Sequence, residues 1–235
     1  MHLLLMGAHP DDETFASGTL AKYVDRGHRA TIVHATRGGK GHWDIPSYEL
    51  RQIRTGEMTK AAKILGAEVM FLEFEDASVP QGDTLREAFV DVYRKLKPDV
   101  VLSFHPLVGR DDHRRVGEAA SDASLKSSLP LHVTDLPSHR PEPCIYFFGT
   151  PISGQEPDTY IDITDYMDVK IKSFRQHASQ WQEWGKTPVD QGDFTERLIE
   201  RYTHRFRELG RKAGVGYAEA FISRSGRKYA HDLFP

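Results

Sequence analysis

The chain has 235 residues, 39% of them apolar and 28% charged, which is enough for a substantial hydrophobic core. Its net charge of −3 advertises neither a nucleic-acid surface nor a disordered acidic chain. A single cysteine, Cys144, excludes an internal disulfide and any cysteine-built zinc cluster, so a metal would have to be held by carboxylates and some of the twelve histidines.

No apolar run approaches the ~18 residues of a membrane span, and the opening Met1–Met6 stretch is too short for a signal-peptide core. Both features, with the lone cysteine, point to a cytoplasmic protein. Residues 197–228 carry nine basic and three acidic side chains on an otherwise acidic chain. Without interleaved aromatics or a recognisable module, this segment reads as a solvated helix face and not as a nucleic-acid surface.

Strands and helices alternate through the first two thirds of the chain. Leu3–Ala8 is an apolar run that Pro10 ends, as in a buried central strand. Residues 14–26 place Phe15, Leu20, Tyr23 and Val24 on one helical face, and Gly27 stops them. Ala30–Ala35 reads as the second strand, followed by glycines 38, 39 and 41; residues 48–65 form the second helix. Val69–Leu72 is the third strand. Leu85, Ala88, Phe89, Val92, Tyr93 and Leu96 then mark the cleanest amphipathic helix, with Thr84 and Glu87 offering a capping box. Asp99–Phe104 is the fourth strand, and Val116, Ala119, Ala120 and Ala123 mark the fourth helix. Four prolines make residues 127–143 a loop. Ile145–Phe148 and Tyr160–Ile163 follow as strands, and helices are expected near 165–179 and 194–210.

Helical crossovers of this length imply a mostly parallel sheet. The expected fold is a Rossmann-like three-layer α/β/α domain spanning 1–235. Residues 1–126 would form the core that carries the site, and 127–235 the later strands and basic helical segment. Ligands bind beyond the carboxyl ends of such strands. The segments His9–Glu13, Thr36–Gly41, Glu73–Ser78 and His105–His113 should therefore share one rim.

Chemistry concentrates there. His9 and Asp12 stand three apart at a strand-to-helix turn and can converge on one point, with Asp11 facing its open side. A neutral imidazole and a carboxylate suit a divalent ion such as zinc, and His113 is the best third ligand. Asp111 and Asp112 beside it can hydrogen-bond histidine ring nitrogens. Three acids at the mouth of an apolar strand repel one another, and a cation offsets that repulsion.

The run Ala8-His9-Pro10-Asp11-Asp12-Glu13 resembles the signature of the LmbE-like, or PIG-L, N-deacetylases. Arg54-x-x-Glu57, Ala61-Ala62, Leu65-Gly66, Asp76, Asp112-His113 with Val116, His177-x-Ser179-Gln180 and Ala218-Glu219-x-Phe221 extend the resemblance over most of the chain. It implies a zinc hydrolase, with ferrous iron the alternative metal in the cell, that removes an acyl group from an N-acetylglucosamine conjugate. It further implies His9, Asp12 and His113 as ligands, Asp11 as general base, and Glu13 as a residue that fixes the turn. Arg54 resembles a substrate-binding arginine of the family, although Glu57 offers it an ordinary helix partner.

The chain departs from the family pattern at Arg110, where many members carry a histidine that polarises the carbonyl. Arginine can stabilise an oxyanion but cannot shuttle a proton, and His105 is the candidate to replace the missing histidine. It departs again at Gly39-Lys40, where an acidic residue is common. Trp43, Trp181 and Trp184 are candidates to stack on a sugar, Arg37 to bind substrate, and His177 to line the site. His34 reads as core. The expected partner is a small amino sugar conjugate; subunit number is left open, a homo-oligomer included. Two other readings stand beside the deacetylase: a broader amidase on the same scaffold, and a metal-containing binding or regulatory domain without turnover.

Overall fold

The computed structural model describes residues 1–132, 134–149, 151–181 and 194–225. Seven strands form one sheet in the order β3-β2-β1-β4-β5-β7-β6. The first five are β1 (His2–Gly7), β2 (Arg29–Thr36), β3 (Glu68–Phe74), β4 (Val100–Phe104) and β5 (Cys144–Phe148), and all pair in parallel. Helices α1 (Ser17–Asp25), α2 (Ser47–Leu65), α3 (Asp83–Leu96) and α4 (Asp111–Ser128) connect them.

Alternation along β1 explains the layers. Leu3 and Leu5 face one core with Leu20 and Tyr23 of α1 and Met58 and Ala61 of α2. Leu4 and Met6 face the other, with Phe89 and Tyr93 of α3 and Val116 and Ala120 of α4. The strand order reverses direction at β1, which neighbours β2 on one side and β4 on the other. The ends of β1 and β4 therefore open a crevice between the two helical layers. Gly117 lets α4 sit tightly over that crevice, because a Cβ there would collide with the carbonyl oxygen of Phe104.

The sheet continues with β6 (Thr159–Asp162) and β7 (Ala218–Ser223), the latter antiparallel to both β5 and β6. Sequence periodicity does not reveal β7, a six-residue strand behind a helix. Helices α5 (Met167–Phe174), α6 (Ala178–Trp181) and α7 (Phe194–Ala213) complete the described elements. Among the described residues no helix is long and apolar enough to cross a membrane.

Three expected elements are corrected. The helix over 14–26 is a 3₁₀ turn, Asp12–Phe15, followed by α1, because the Asp12 carboxylate folds back on the amides of Ala8 and His9. The helix over 165–179 breaks after Phe174 and resumes at Ala178, with His177 directed into the protein between the two pieces. The Thr84–Glu87 capping box does not form: α3 starts at Asp83, so Thr84 already lies in its first turn, and Glu87 bonds His132 at 2.6 Å.

Candidate metal centre and cleft

The rims after β1 to β4 meet as expected. His9, Lys40, Asp76, Arg110 and His113 all line one cleft of about 550 Å³, together with Asp11, Asp12 and Arg54.

At its floor, Nδ1 of His9 stands 3.2 Å from Nε2 of His113, and Oδ1 of Asp12 stands 3.3 Å from that same nitrogen. Ligand atoms around a tetrahedral zinc at about 2.0–2.1 Å lie roughly 3.3 Å from one another. The donor set is two imidazoles and one carboxylate, and their atoms share one small volume. The surroundings aim each atom. Oδ2 of Asp12 accepts the amides of Ala8 and His9 at 2.7 and 2.8 Å, which leaves Oδ1 for the centre. Nε2 of His9 faces Asp76 at 3.0 Å and Asp112 at 3.2 Å. A proton on that nitrogen leaves Nδ1 as a lone-pair donor towards the centre, the usual arrangement of a metal-bound histidine. The His113 ring stacks on Phe104 with centroids 3.9 Å apart.

The electrostatics call for a cation. Burial opposes protonation of His9, yet hydrogen bonds to Asp112 and Asp76 raise its pKa to about 10. Burial likewise opposes ionisation of Asp76, yet the hydrogen bond from His9 brings it down to about 2. Asp12 is held well below the usual carboxylate range by His113 and His9, against the cost of its burial. Three ionised carboxylates thus surround His9, and a bound metal would displace its extra proton. The residues fit a divalent ion of the kind imidazole and carboxylate select.

Asp11 occupies the cleft side of this cluster. Its backbone has φ 121°, rare outside glycine, and such strain costs on the order of 1–3 kcal/mol. Burial raises its pKa to about 6, opposed by the nearby Arg54 guanidinium. Nη2 of Arg54 lies 3.3 Å from Oδ1 of Asp11 and also donates to the carbonyl of Pro10. Nη1 donates to the carbonyl of Gly38 at 3.1 Å, and a Cβ at Gly38 would overlap this guanidinium. Arg54 is only 3% exposed. Glu57 is not its partner: that carboxylate accepts both the amide and the hydroxyl of Ser179 at 2.7 Å.

Several expected site residues lie elsewhere. His177 does not line the cleft; it is fully buried, with Nε2 2.5 Å from Oε1 of Glu13. Trp43 is 82% exposed and outside the cleft. Arg37 turns away to Glu73 at 2.7 Å, its guanidinium over the Phe71 ring. His105 also lies outside the cleft wall, edge-on to Phe147, with its Nδ1 accepting the Leu107 amide. Arg110 remains at the wall, whereas Asp111 pairs with Arg114 and Arg115 on the surface. Trp181 lines the cleft, its ring stacked on Phe174, and Trp184 lies outside the described residues.

The cleft also takes residues that sequence reading passes over. Tyr202 and Arg205, one helical turn apart on α7, close its far wall. Their only local signal is membership of a basic amphipathic helix. Asp76 has a signal, its place just after β3, but spacing alone could not join it to His9.

Residues 4–124 match the family model described as PIG-L, GlcNAc-PI de-N-acetylase. The chain belongs to the PIG-L family. That span holds His9, Asp12 and His113 of the candidate metal centre, whereas Trp181, Tyr202 and Arg205 fall outside it. A diacetylchitobiose deacetylase of Thermococcus kodakarensis is 31% identical over 193 residues, covering 77% of this chain and 70% of its own. The solved N,N'-diacetylchitobiose deacetylase of Pyrococcus horikoshii superposes with a TM-score of 0.81 at 28% identity, covering 96% of this chain and 84% of its own. A 4-oxalmesaconate hydratase of Pseudomonas putida is 25% identical over 221 residues, covering 83% of this chain and 81% of its own. Relatives of this chain thus include both a deacetylase and a hydratase.

Proposed function

We propose that this PIG-L protein is a zinc-dependent hydrolase that removes the acetyl group from an N-acetylglucosamine-type conjugate. The observation that carries the reading is Asp11: a strained, half-buried carboxylate, beside but not within the His9/Asp12/His113 triad, facing the cleft. The family and its deacetylase relatives support the substrate class.

His9, Asp12 and His113 would hold the ion. When bound, it lowers the pKa of water towards ~7 and polarises the amide oxygen. Asp11 accepts the proton of the attacking water, whose oxygen bonds to the acetyl carbon. Arg110, a fixed cation on the cleft wall, faces the negative charge that develops on the carbonyl oxygen. As the C–N bond breaks, Asp11 returns its proton to the departing amine, and acetate and the free amino sugar leave. Trp181 presents an aromatic ring beside the cleft for the sugar. A second cavity of about 270 Å³ shares Phe15, Gly149 and Arg205 with the first, which leaves room for the rest of a conjugate.

Acetate release from a panel of N-acetylglucosamine conjugates, measured together with metal per chain, tests this. Activity should depend on zinc, and Asp11→Asn should lower kcat by about 10²–10⁴-fold with metal content unchanged. Bound zinc without acetate from any conjugate would overturn the reading. Release only of bulkier acyl groups would replace it with the broader amidase.

A further inference from the structure

The Pro10–Asp11 peptide is held at both of its polar atoms by side chains, one from α2 and one from the turn that follows the peptide. Its carbonyl oxygen, on Pro10, accepts from Nη2 of Arg54 on α2. Its amide, on Asp11, donates to Oε2 of Glu13 at 3.1 Å. Glu13 is itself fully buried, and its other oxygen is held at 2.5 Å by Nε2 of His177, the residue between α5 and α6. His177 is equally buried, and its Nδ1 has no hydrogen-bond partner among the described residues. Among the described residues the ring's hydrogen bond therefore goes to Glu13, while its edge meets the Trp181 ring.

We infer that Glu13 and His177 are positioning residues that lock the Pro10–Asp11 peptide, and with it the Asp11 carboxylate, in the orientation needed to take a proton in the cleft. The inference rests on the reading of Asp11 as general base. A residue at φ 121° relaxes to an ordinary conformation unless its surroundings over-determine it. Releasing the amide side of the peptide lets Asp11 relax and swing its carboxylate away from the reacting water. Neither Glu13 nor His177 lines the cleft, so substrate binding should not register their loss.

The test compares His177→Leu, which cannot donate to Glu13, with His177→Gln, whose side-chain amide can. His177→Leu should lower kcat about 10- to 100-fold with KM within about twofold and zinc per chain unchanged. Hydrogen exchange at the Asp11 amide, followed by NMR, should speed up by about tenfold or more while amides of Leu4 and Leu5 keep their protection. His177→Gln should stay within about threefold of the unmutated protein on both measures. Unchanged Asp11 exchange in His177→Leu, a loss confined to KM, or equal defects in both variants would overturn the inference. Should His177→Leu not accumulate folded, Glu13→Ala, which removes the acceptor of the Asp11 amide, makes the same comparison with Glu13→Gln, whose carbonyl oxygen can still accept it. If no conjugate yields acetate with the unmutated protein, the deacetylase reading fails alone, and Asp11 exchange still decides the clamp.

Discussion

At the scale of single residues, the centre depends on which nitrogen of His9 carries the proton. Asp76 and Asp112 both face Nε2, and that choice turns Nδ1 towards His113 and Asp12. Asp76 also accepts the Lys40 amide at 2.7 Å, so one carboxylate orients the His9 ring and anchors the glycine-rich turn behind β2. Asp76→Asn keeps the shape but weakens both functions. Zinc affinity, measured by competition with a chelator, should fall about 10- to 100-fold. An unchanged affinity would mean that Asp112 alone orients His9. The sequence made His9, Asp12 and His113 visible through residue type and their places after β1 and β4. It could not connect Asp76 to His9, because that contact joins two loops sixty-seven positions apart.

At the scale of elements, β7 ties the late part of the chain to the first helix. Glu219 is fully buried, and its two oxygens accept the amides of Gly18 and Thr19 at the start of α1, at 2.9 and 2.7 Å. Lys170 of α5 approaches the same carboxylate at 2.7 Å and donates to the carbonyl of Thr14. The pair thus fastens the 3₁₀ turn that follows Asp11. Burial of both charges makes the interaction costly to break on one side only. Glu219→Gln should destabilise the protein by about 3–5 kcal/mol in urea unfolding. Adding Lys170→Met should recover much of that loss, since no unpaired ammonium then remains. Additive losses in the double variant would contradict a coupled pair. Periodicity found the helices and parallel strands well, because each presents a regular apolar face. It missed β7 and the break before α6, where a few residues obey tertiary partners instead of a repeat.

At the scale of the whole molecule, packing sets how stability responds to acid. His34 is fully buried on β2, and burial lowers its pKa from 6.5 to about 4, although Glu13 and Asp12 pull the other way. The unfolded chain therefore takes up a proton between pH 6.5 and 4 that the folded chain refuses, so the stabilisation present above 6.5 is lost as pH falls through this window. His9 and His177, both raised, have the opposite sign and act above 6.5. Between pH 6.5 and 4 the unmutated protein should lose roughly 3 kcal/mol more unfolding free energy than His34→Gln. Parallel curves for the two proteins, from urea titrations across that range, would contradict the assignment.

The amino-acid sequence by itself determined the alternation of strand and helix, the rim on which titratable side chains gather, and the His/Asp character of the cluster there. These depend on local period, turn residues and residue type. Only the tertiary structure decided that His177 serves Glu13 and not the cleft, that Arg54 grips the Pro10–Asp11 peptide, and that α7 closes the far wall. Each of these is a contact between segments far apart in the chain. Local pattern carries no information about which buried polar atom a distant side chain must satisfy.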